Sequence, residues 1–253
     1  MRVLSLQSGS NGNCICVEAA GRRLLFDAGI SGTQAQQRLA MRGGDIRKID
    51  GVFLSHDHSD HTRCAGVYHR KFHLPIYLTA PTHDVIRKQM GKVQDVRFFR
   101  AGGSVELGEV TVRAIPTAHD AADGVGFIVE AEGRKLGILT DLGHIFAGLA
   151  DVIADLDGVL LESNYDPQML QSGPYPWHLK QRIRGGSGHL SNFQAAELLA
   201  ECYTGKLKWA CLGHLSEENN EPRLALETHR EIVPSCLPLY LASRYEPSDW
   251  LTL

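Results

Sequence analysis

Val52-Phe53-Leu54-Ser55-His56-Asp57-His58-Ser59-Asp60-His61 is the stretch from which the rest of the chain can be read. Its first three residues form an apolar run that reads as a short buried strand. The run stops in a polar loop with three histidines and two aspartates in six positions. Imidazole and carboxylate bind zinc, manganese or iron at neutral pH. His56 and His58, two apart in an extended loop, turn toward one ion, and Asp60 and His61 follow closely enough to reach a second. An apolar strand gains nothing from ending in such charge unless a cation compensates it. The stretch therefore predicts half of a dinuclear metal site, with a solvated polar turn as the alternative.

On the N-terminal side, Val3 to Gln7, Cys14 to Glu18 and Arg22 to Phe26 read as strands. Between the first two lies Ser8-Gly9-Ser10-Asn11-Gly12-Asn13, either an ordinary turn or a nest of backbone N–H groups for an anion such as phosphate. Asp27 closes the third strand and is expected to brace the metal loop rather than bind an ion. Helical spacing covers Thr33 to Met41, Thr62 to Phe72 and Ala80 to Met90, with a short strand at Ile76 to Leu78. Strands at Val96 to Phe99, Ser104 to Leu107 and Val110 to Ile115 lead into His119. A hairpin, Gly124 to Glu130 and Lys135 to Thr140, ends at Asp141-Leu142-Gly143-His144, where His144 receives no role.

Further on, a helix end at Val152 to Leu156 and a strand at Gly158 to Leu161 precede the least regular part of the chain, Pro167 to Gly188. It holds Tyr175, Trp177, Lys180, Arg182 and Arg184, and no acidic residue falls between Pro167 and Ala196. This reads either as a solvated loop covering core or as rings and cations suited to single-stranded nucleic acid. Asn192 is the expected N-cap of a helix from Phe193 to Tyr203. A strand from Leu207 to Leu212 ends at His214; a helix from about Pro222 to Val233 and a strand from Leu237 to Ala242 complete the pattern.

Hydrophobic residues make up 43% of the 253 and charged residues 22%, an ordinary balance for a globular chain with a sizeable core. The net charge of −3 gives no global basic field for bulk binding to DNA. The start of the chain enters a strand directly, and no apolar stretch approaches membrane-spanning length. Six scattered cysteines make no disulfide-like framework, which places the protein in a reducing cytoplasm. No repeat or linker divides the sequence, so residues 1–253 are expected to form one domain.

Apolar strands thus end at His56, His119, Asp141 and His214, and sheets place functional groups at such ends. Grouping them gives His56, His58 and His119 for one ion and Asp60, His61 and His214 for the other, with Asp141 bridging. Each set leaves room for water, as a catalytic site requires.

With these five motifs, Asp27, His56-x-His58-x-Asp60-His61, His119, Asp141 and His214, the chain resembles the metallo-β-lactamase-fold superfamily over its full length. The segments Ser8 to Asn13, Ser55 to His61, Gly188 to Asn192 and Gly213 to Asn220 resemble the YycJ (WalJ) group of small bacterial proteins. The superfamily implies a four-layer α+β architecture, an αββα sandwich with metals at one edge. The group implies a 5′ to 3′ DNA exonuclease associated with repair.

Two adjacent divalent ions, zinc or manganese, suit ester hydrolysis. Asp60 and Asp141 resemble the phosphodiesterase and thioesterase branches and argue against a lactamase. His189-Leu190-Ser191 resembles a motif of tRNase Z whose histidine serves the scissile phosphate, although Leu190 and Asn192 depart from it. The expectation is a phosphodiesterase in which His189 and Asp60 are catalytic. Ser10, Asn11, Asn13, Ser191, Asn192, Tyr175, Trp177, Lys180, Arg182 and Arg184 contact the substrate, single-stranded or end-processed DNA. The alternatives are a small-molecule hydrolase (cyclic phosphodiesterase or glyoxalase-like thioesterase), a tRNase Z-like ribonuclease, and a metal-holding nucleic-acid-binding module without chemistry.

Overall fold

Along a strand successive side chains face opposite ways, so a strand buried on both faces feeds two cores at once. The second strand does this: Ile15 and Val17 enter one apolar cluster, Cys14 and Cys16 another. The computed structural model, which describes residues 1–253, contains three such clusters, of 22, 21 and 21 buried residues. The first lies between two sheets and the other two lie between each sheet and its helices. Three cores separate four layers, an αββα sandwich in a single domain.

The first half of the chain runs β1 (Arg2–Gln7), β2 (Cys14–Ala19), β3 (Arg22–Phe26), α1 (Gly32–Met41), β4 (Gly51–Phe53), α2 (Ser59–Thr62), α3 (Ala65–Phe72), β5 (Ile76–Thr79), α4 (Ala80–Met90) and β6 (Val96–Phe99). The second half runs β7 (Ser104–Leu107), β8 (Val110–Pro116), β9 (Val125–Ala131), β10 (Arg134–Leu139), α5 (Leu149–Ala154), β11 (Gly158–Glu162), α6 (Pro167–Ser172), α7 (Trp177–Arg184), α8 (Asn192–Cys202), β12 (Trp209–Gly213), α9 (Pro222–Ile232), β13 (Leu239–Leu241) and β14 (Leu251–Thr252). One sheet has the order β14-β1-β2-β3-β4-β5-β6 and the other β13-β12-β11-β10-β9-β8-β7. Pairing is parallel from β3 to β6 and from β10 to β13. The C-terminal ends of β3, β4, β8, β10, β11 and β12 consequently gather at one edge of the sandwich.

Several elements differ from the sequence reading. Pro167 to Gly188 is ordered into α6 and α7, because Asp166 accepts from the amides of Gln168 (2.9 Å) and Met169 (2.8 Å) and Pro167 sets the first helical turn. The cap of α8 is Ser191 and not Asn192; Ser191 and Gln194 form a reciprocal capping box. The helix expected from Thr62 to Phe72 is broken at Cys64, whose backbone leaves the helical region. The strand β14 was not foreseen; it pairs with β1 across the whole length of the chain.

All six cysteines are free, and burial pushes the Cys14 and Cys211 thiols up to about 12, so these two act as apolar filler. No helix is long and apolar enough to cross a membrane.

Candidate dinuclear metal centre

Three residues at the gathered edge carry the left-handed backbone that non-glycine residues rarely adopt: Asp27 (φ 66°), Asp141 (φ 55°) and His214 (φ 54°). Each follows a buried strand, β3, β10 or β12, and the sharp turn directs its side chain back across the strand ends. Such conformations persist only where the surroundings over-determine them. The metal loop is equally constrained. A Cβ on Gly29 would lie 1.6 Å from the carbonyl oxygen of Asp60, so only glycine lets the chain after β3 pass this closely.

The seven expected ligands converge. His56, His58 and His119 offer nitrogens within 4.8 Å of one another, as do the ligand atoms of Asp60, His61 and His214. Asp141 sits between the two sets. Its oxygens lie 3.2 Å from His61 Nε2 and 3.6 Å from both His119 Nε2 and His214 Nε2. Asp141 is buried, and its Oδ2, despite that short approach, makes no aligned hydrogen bond; neither does the buried Nε2 of His56. Buried polar atoms are nearly always paired. Two orphans in one His/Asp set fit the binding of divalent cations.

Asp27 has the bracing position. Its carboxylate accepts from Ser55 N (2.8 Å), Ser55 Oγ (2.9 Å) and His61 Nδ1 (2.7 Å). Accepting from Nδ1 turns Nε2 of His61 toward Asp60 and Asp141, where a bound cation would replace its proton. Similarly, His119 Nδ1 donates to the carbonyl of Gly188 (2.8 Å) and turns Nε2 inward.

Electrostatics follow from this crowding of carboxylates. Burial alone lowers the affinity of His61 for a proton, yet Asp27, Asp141 and Asp60 outweigh it and hold its pKa well above the ordinary range. His214 is raised the same way against burial by Asp141, Asp60 and Glu162. His56, buried beside the charge of His61, is pushed well down and stays neutral. The centre attracts positive charge while keeping a free imidazole lone pair, as a metal-binding set requires.

Glu162, at the end of β11, went unremarked in the sequence reading although its strand end was visible. It is fully buried, and its Oε1 accepts from His189 Nδ1 at 2.6 Å. Its Oε2 accepts from the amides of Leu142 (3.1 Å) and Leu190 (3.3 Å). Burial favours the neutral acid, but His189 and His214 reverse this and keep Glu162 ionised. The His189 ring centroid lies 4.8 Å from that of His119 and 5.3 Å from that of His214, between the two half-sites.

The expected substrate contacts divide into two groups. Asn13 is buried, with its side chain held by Gly9 and directed to His61 Nε2 (3.0 Å). Asn192 is fully buried in an amide pair with Asn220, and Ser191 is spent on capping α8. Lys180 Nζ donates to the carbonyls of Gln171 (2.8 Å) and Gly173 (2.7 Å), closing the end of α6. Arg182 grips Asp120 with two hydrogen bonds, Nε to Oδ2 (2.5 Å) and Nη2 to Oδ1 (2.9 Å). The polar groups of these five residues are bonded within the protein; Asn13, Ser191 and Asn192 are buried, Lys180 is half-buried and Arg182 is exposed. Ser10, Asn11, Tyr175, Trp177 and Arg184 stay at the surface or half-buried; Trp177 is 69% exposed with the Arg184 guanidinium 5.1 Å from its ring centroid. His144 donates to the carbonyl of Gly186 at 2.6 Å and pins the loop that carries His189.

Residues 22–210 match the family described as a beta-lactamase superfamily domain. The chain is 35% identical over 222 residues to the exodeoxyribonuclease YycJ of Bacillus anthracis, covering 87% of this chain and 84% of that protein. It belongs to the β-lactamase superfamily, in the YycJ/WalJ group. The exodeoxyribonuclease WalJ of Streptococcus pneumoniae is 34% identical over 224 residues, with 87% and 83% of the two chains covered. The metallo-β-lactamase fold protein YhfI from Bacillus subtilis superposes with a TM-score of 0.74 over 98% of each chain at 14% identity. That likeness concerns the fold.

Proposed function

We propose that this chain is a two-metal phosphodiesterase that removes nucleotides from the 5′ end of DNA, working in the cytoplasm on single strands or processed ends. The observation that carries the chemistry is the convergence of His56, His58, Asp60, His61, His119, Asp141 and His214 on one edge, with the His189–Glu162 pair between the half-sites. The choice of DNA and of a strand end is supported by the YycJ and WalJ relatives, exodeoxyribonucleases by name, which match over most of both chains; the 5′ polarity is what the resemblance to that group implies.

Two divalent cations held by those seven residues, zinc or manganese, would polarise the phosphate and lower the pKa of the attacking water. The chain's own residues do the rest. Asp27 and Gly188 fix the tautomers of His61 and His119. Asp60, reaching toward both His61 and His214 at 3.5 Å, is the carboxylate placed to orient the attacking water. Glu162 accepts a hydrogen bond from His189 Nδ1 and stays ionised, which leaves Nε2 facing the substrate; in the imidazolium form Nε2–H gives its proton to the leaving oxygen. The amides of Ser10 and Asn11 make no hydrogen bond within the protein and are suited to a terminal phosphate. Trp177 and Arg184, with Tyr175, line a hollow of ≈270 Å³ in which a base can stack.

The test uses metal-loaded protein with 5′-phosphorylated and 5′-hydroxyl single-stranded DNA, labelled at the 3′ end, beside bis-p-nitrophenyl phosphate. Stepwise shortening from the 5′ end, lost in His58→Ala, is the expected result. Cleavage of the chromogenic ester alone moves the assignment to a small-molecule phosphodiesterase.

A further inference from the structure

A second cavity, of ≈300 Å³, opens at the C-terminal ends of β12 and β13. Leu215, Leu241 and Ala242 give it an apolar wall, and Arg244, Glu217 and Tyr245 supply its polar groups. Its position follows from topology. The strand β13 runs parallel beside β12, so the chain leaving it arrives at the edge where β10, β11 and β12 deliver Asp141, Glu162 and His214.

Arg244 ties this cavity to the metal centre. Its Nη1 donates to the carbonyl of Leu215 (2.8 Å), the residue after His214, and to Ser10 Oγ (3.2 Å). Ser8 N donates to the carbonyl of Ser243 at 3.0 Å, and Ser8 Oγ accepts from His214 N at 2.9 Å. A Cβ on Gly9 (φ +152°) would lie 2.9 Å from Arg244 Cγ, so the loop packs directly on the arginine stem. The Ser8 to Asn13 loop, the cavity and the backbone of His214 form one packed unit.

The chemistry of the cavity selects a neutral, planar group. Arg244 is only 9% exposed, and its charge is met by Glu217, whose Oε2 accepts from Nη2 at 2.9 Å while Oε1 accepts from Tyr245 OH at 3.0 Å. A phosphate gains little where the guanidinium is already paired. The Nε of Arg244 is sealed from solvent, so the polar groups that the cavity offers are those of the Arg244–Glu217 pair and the Tyr245 hydroxyl. The Tyr245 ring is 62% exposed at the mouth and offers a stacking face. A nucleobase has an acceptor edge, a π face and no charge, and the volume is at the lower end of the range for small-ligand pockets.

We propose that this cavity receives the 5′-terminal nucleoside of the DNA. The inference rests on the nuclease reading and deepens it: a cavity of ≈300 Å³ packed against the backbone that carries His214 has room for one nucleoside, and so reads the end of a strand rather than its interior.

The experiment compares two 5′-phosphorylated, 3′-labelled oligonucleotides, identical except that one begins with a tetrahydrofuran abasic residue. Bis-p-nitrophenyl phosphate reports competence of the metal centre in the same preparation. Wild type is expected to remove the first residue with kcat/KM about tenfold lower for the abasic end. In Tyr245→Ala, and in Ala242→Leu, which fills the cavity, the ratio falls to within about twofold of one. The ratio is internal to each preparation, and Tyr245 is exposed enough for its variant to fold. Equal rates on both ends in wild type, or an unchanged ratio in both variants, overturn the cavity assignment and leave the nuclease standing. Turnover of the chromogenic ester with neither oligonucleotide shortened overturns both.

Discussion

His189 Nδ1 lies 2.6 Å from Glu162 Oε1, a contact between the end of β11 and the loop that opens α8. Because the carboxylate also accepts from the amides of Leu142 and Leu190, it is held rigidly and the imidazole with it. A histidine oriented in this way presents one defined nitrogen to the substrate.

Glu162→Gln should lower kcat about 10- to 100-fold with little change in KM, the scale seen when a partner that orients a functional histidine is removed. His189→Ala should cost at least as much, and the double variant should lose hardly more than His189→Ala alone, since the two residues act as a unit. Steady-state kinetics of the four proteins decide this; additive losses would mean that Glu162 acts independently of His189.

Asp27→Asn should weaken metal binding about 10- to 100-fold, because His61 loses the carboxylate that fixes its tautomer. Competition with a chelating dye gives the affinity directly. Chelation should also lower the melting temperature of wild type more than that of the variant, since bound cation at about 100 times its Kd contributes about 2.7 kcal/mol.

Trp177→Ala and Arg182→Gln should separate. Removing the exposed ring should raise KM for single-stranded DNA about 5-fold or more, as the loss of one stacked base implies. Arg182 acts through Asp120, whose Oδ1 lies 3.5 Å from His119 Nε2 and whose carbonyl lies 3.1 Å from His58 Nε2. Arg182→Gln should therefore lower kcat and leave KM nearly unchanged. An equal rise of KM in both variants would return Arg182 to the substrate groove.

Stability toward acid should depend on His229, remote from the metal centre. It is buried in α9, its Nδ1 donates to the Ala225 carbonyl (2.8 Å), its Nε2 has no partner, and burial lowers its pKa from 6.5 to about 4. Between those values the unfolded chain binds the proton and the folded one does not, so stability falls as pH drops from about 6.5 to about 4 and is unaffected above. The gap corresponds to about 3 kcal/mol. Urea unfolding of wild type and His229→Leu at pH 7 and pH 4.5 should show a shallower acid loss in the variant; parallel losses would refute the assignment.

The residues that converge at the edge were legible in the sequence because each is a local event: a short apolar run that stops at a histidine or aspartate, as at Leu54-Ser55-His56 and Leu139-Thr140-Asp141. The sandwich was expected from the resemblance to the superfamily; what carries it physically is that β2 and β9 alternate between cores that their own side chains define. The interval from Pro167 to Gly188 was misread because its helices are short and begin at prolines, so propensity gives no run to recognise.

What only the tertiary structure decided is the choice of partner. Lys180, Arg182 and Arg184 are equivalent as sequence, yet one closes a helix, one clamps Asp120, and one lies over Trp177. Glu162 acquires His189, and Arg244 acquires Ser10 from 234 residues away, because parallel strands bring their C-terminal ends to one edge. A side chain's chemistry is written in the sequence. The group that meets it is fixed only when the sheets close and buried polar atoms must be satisfied.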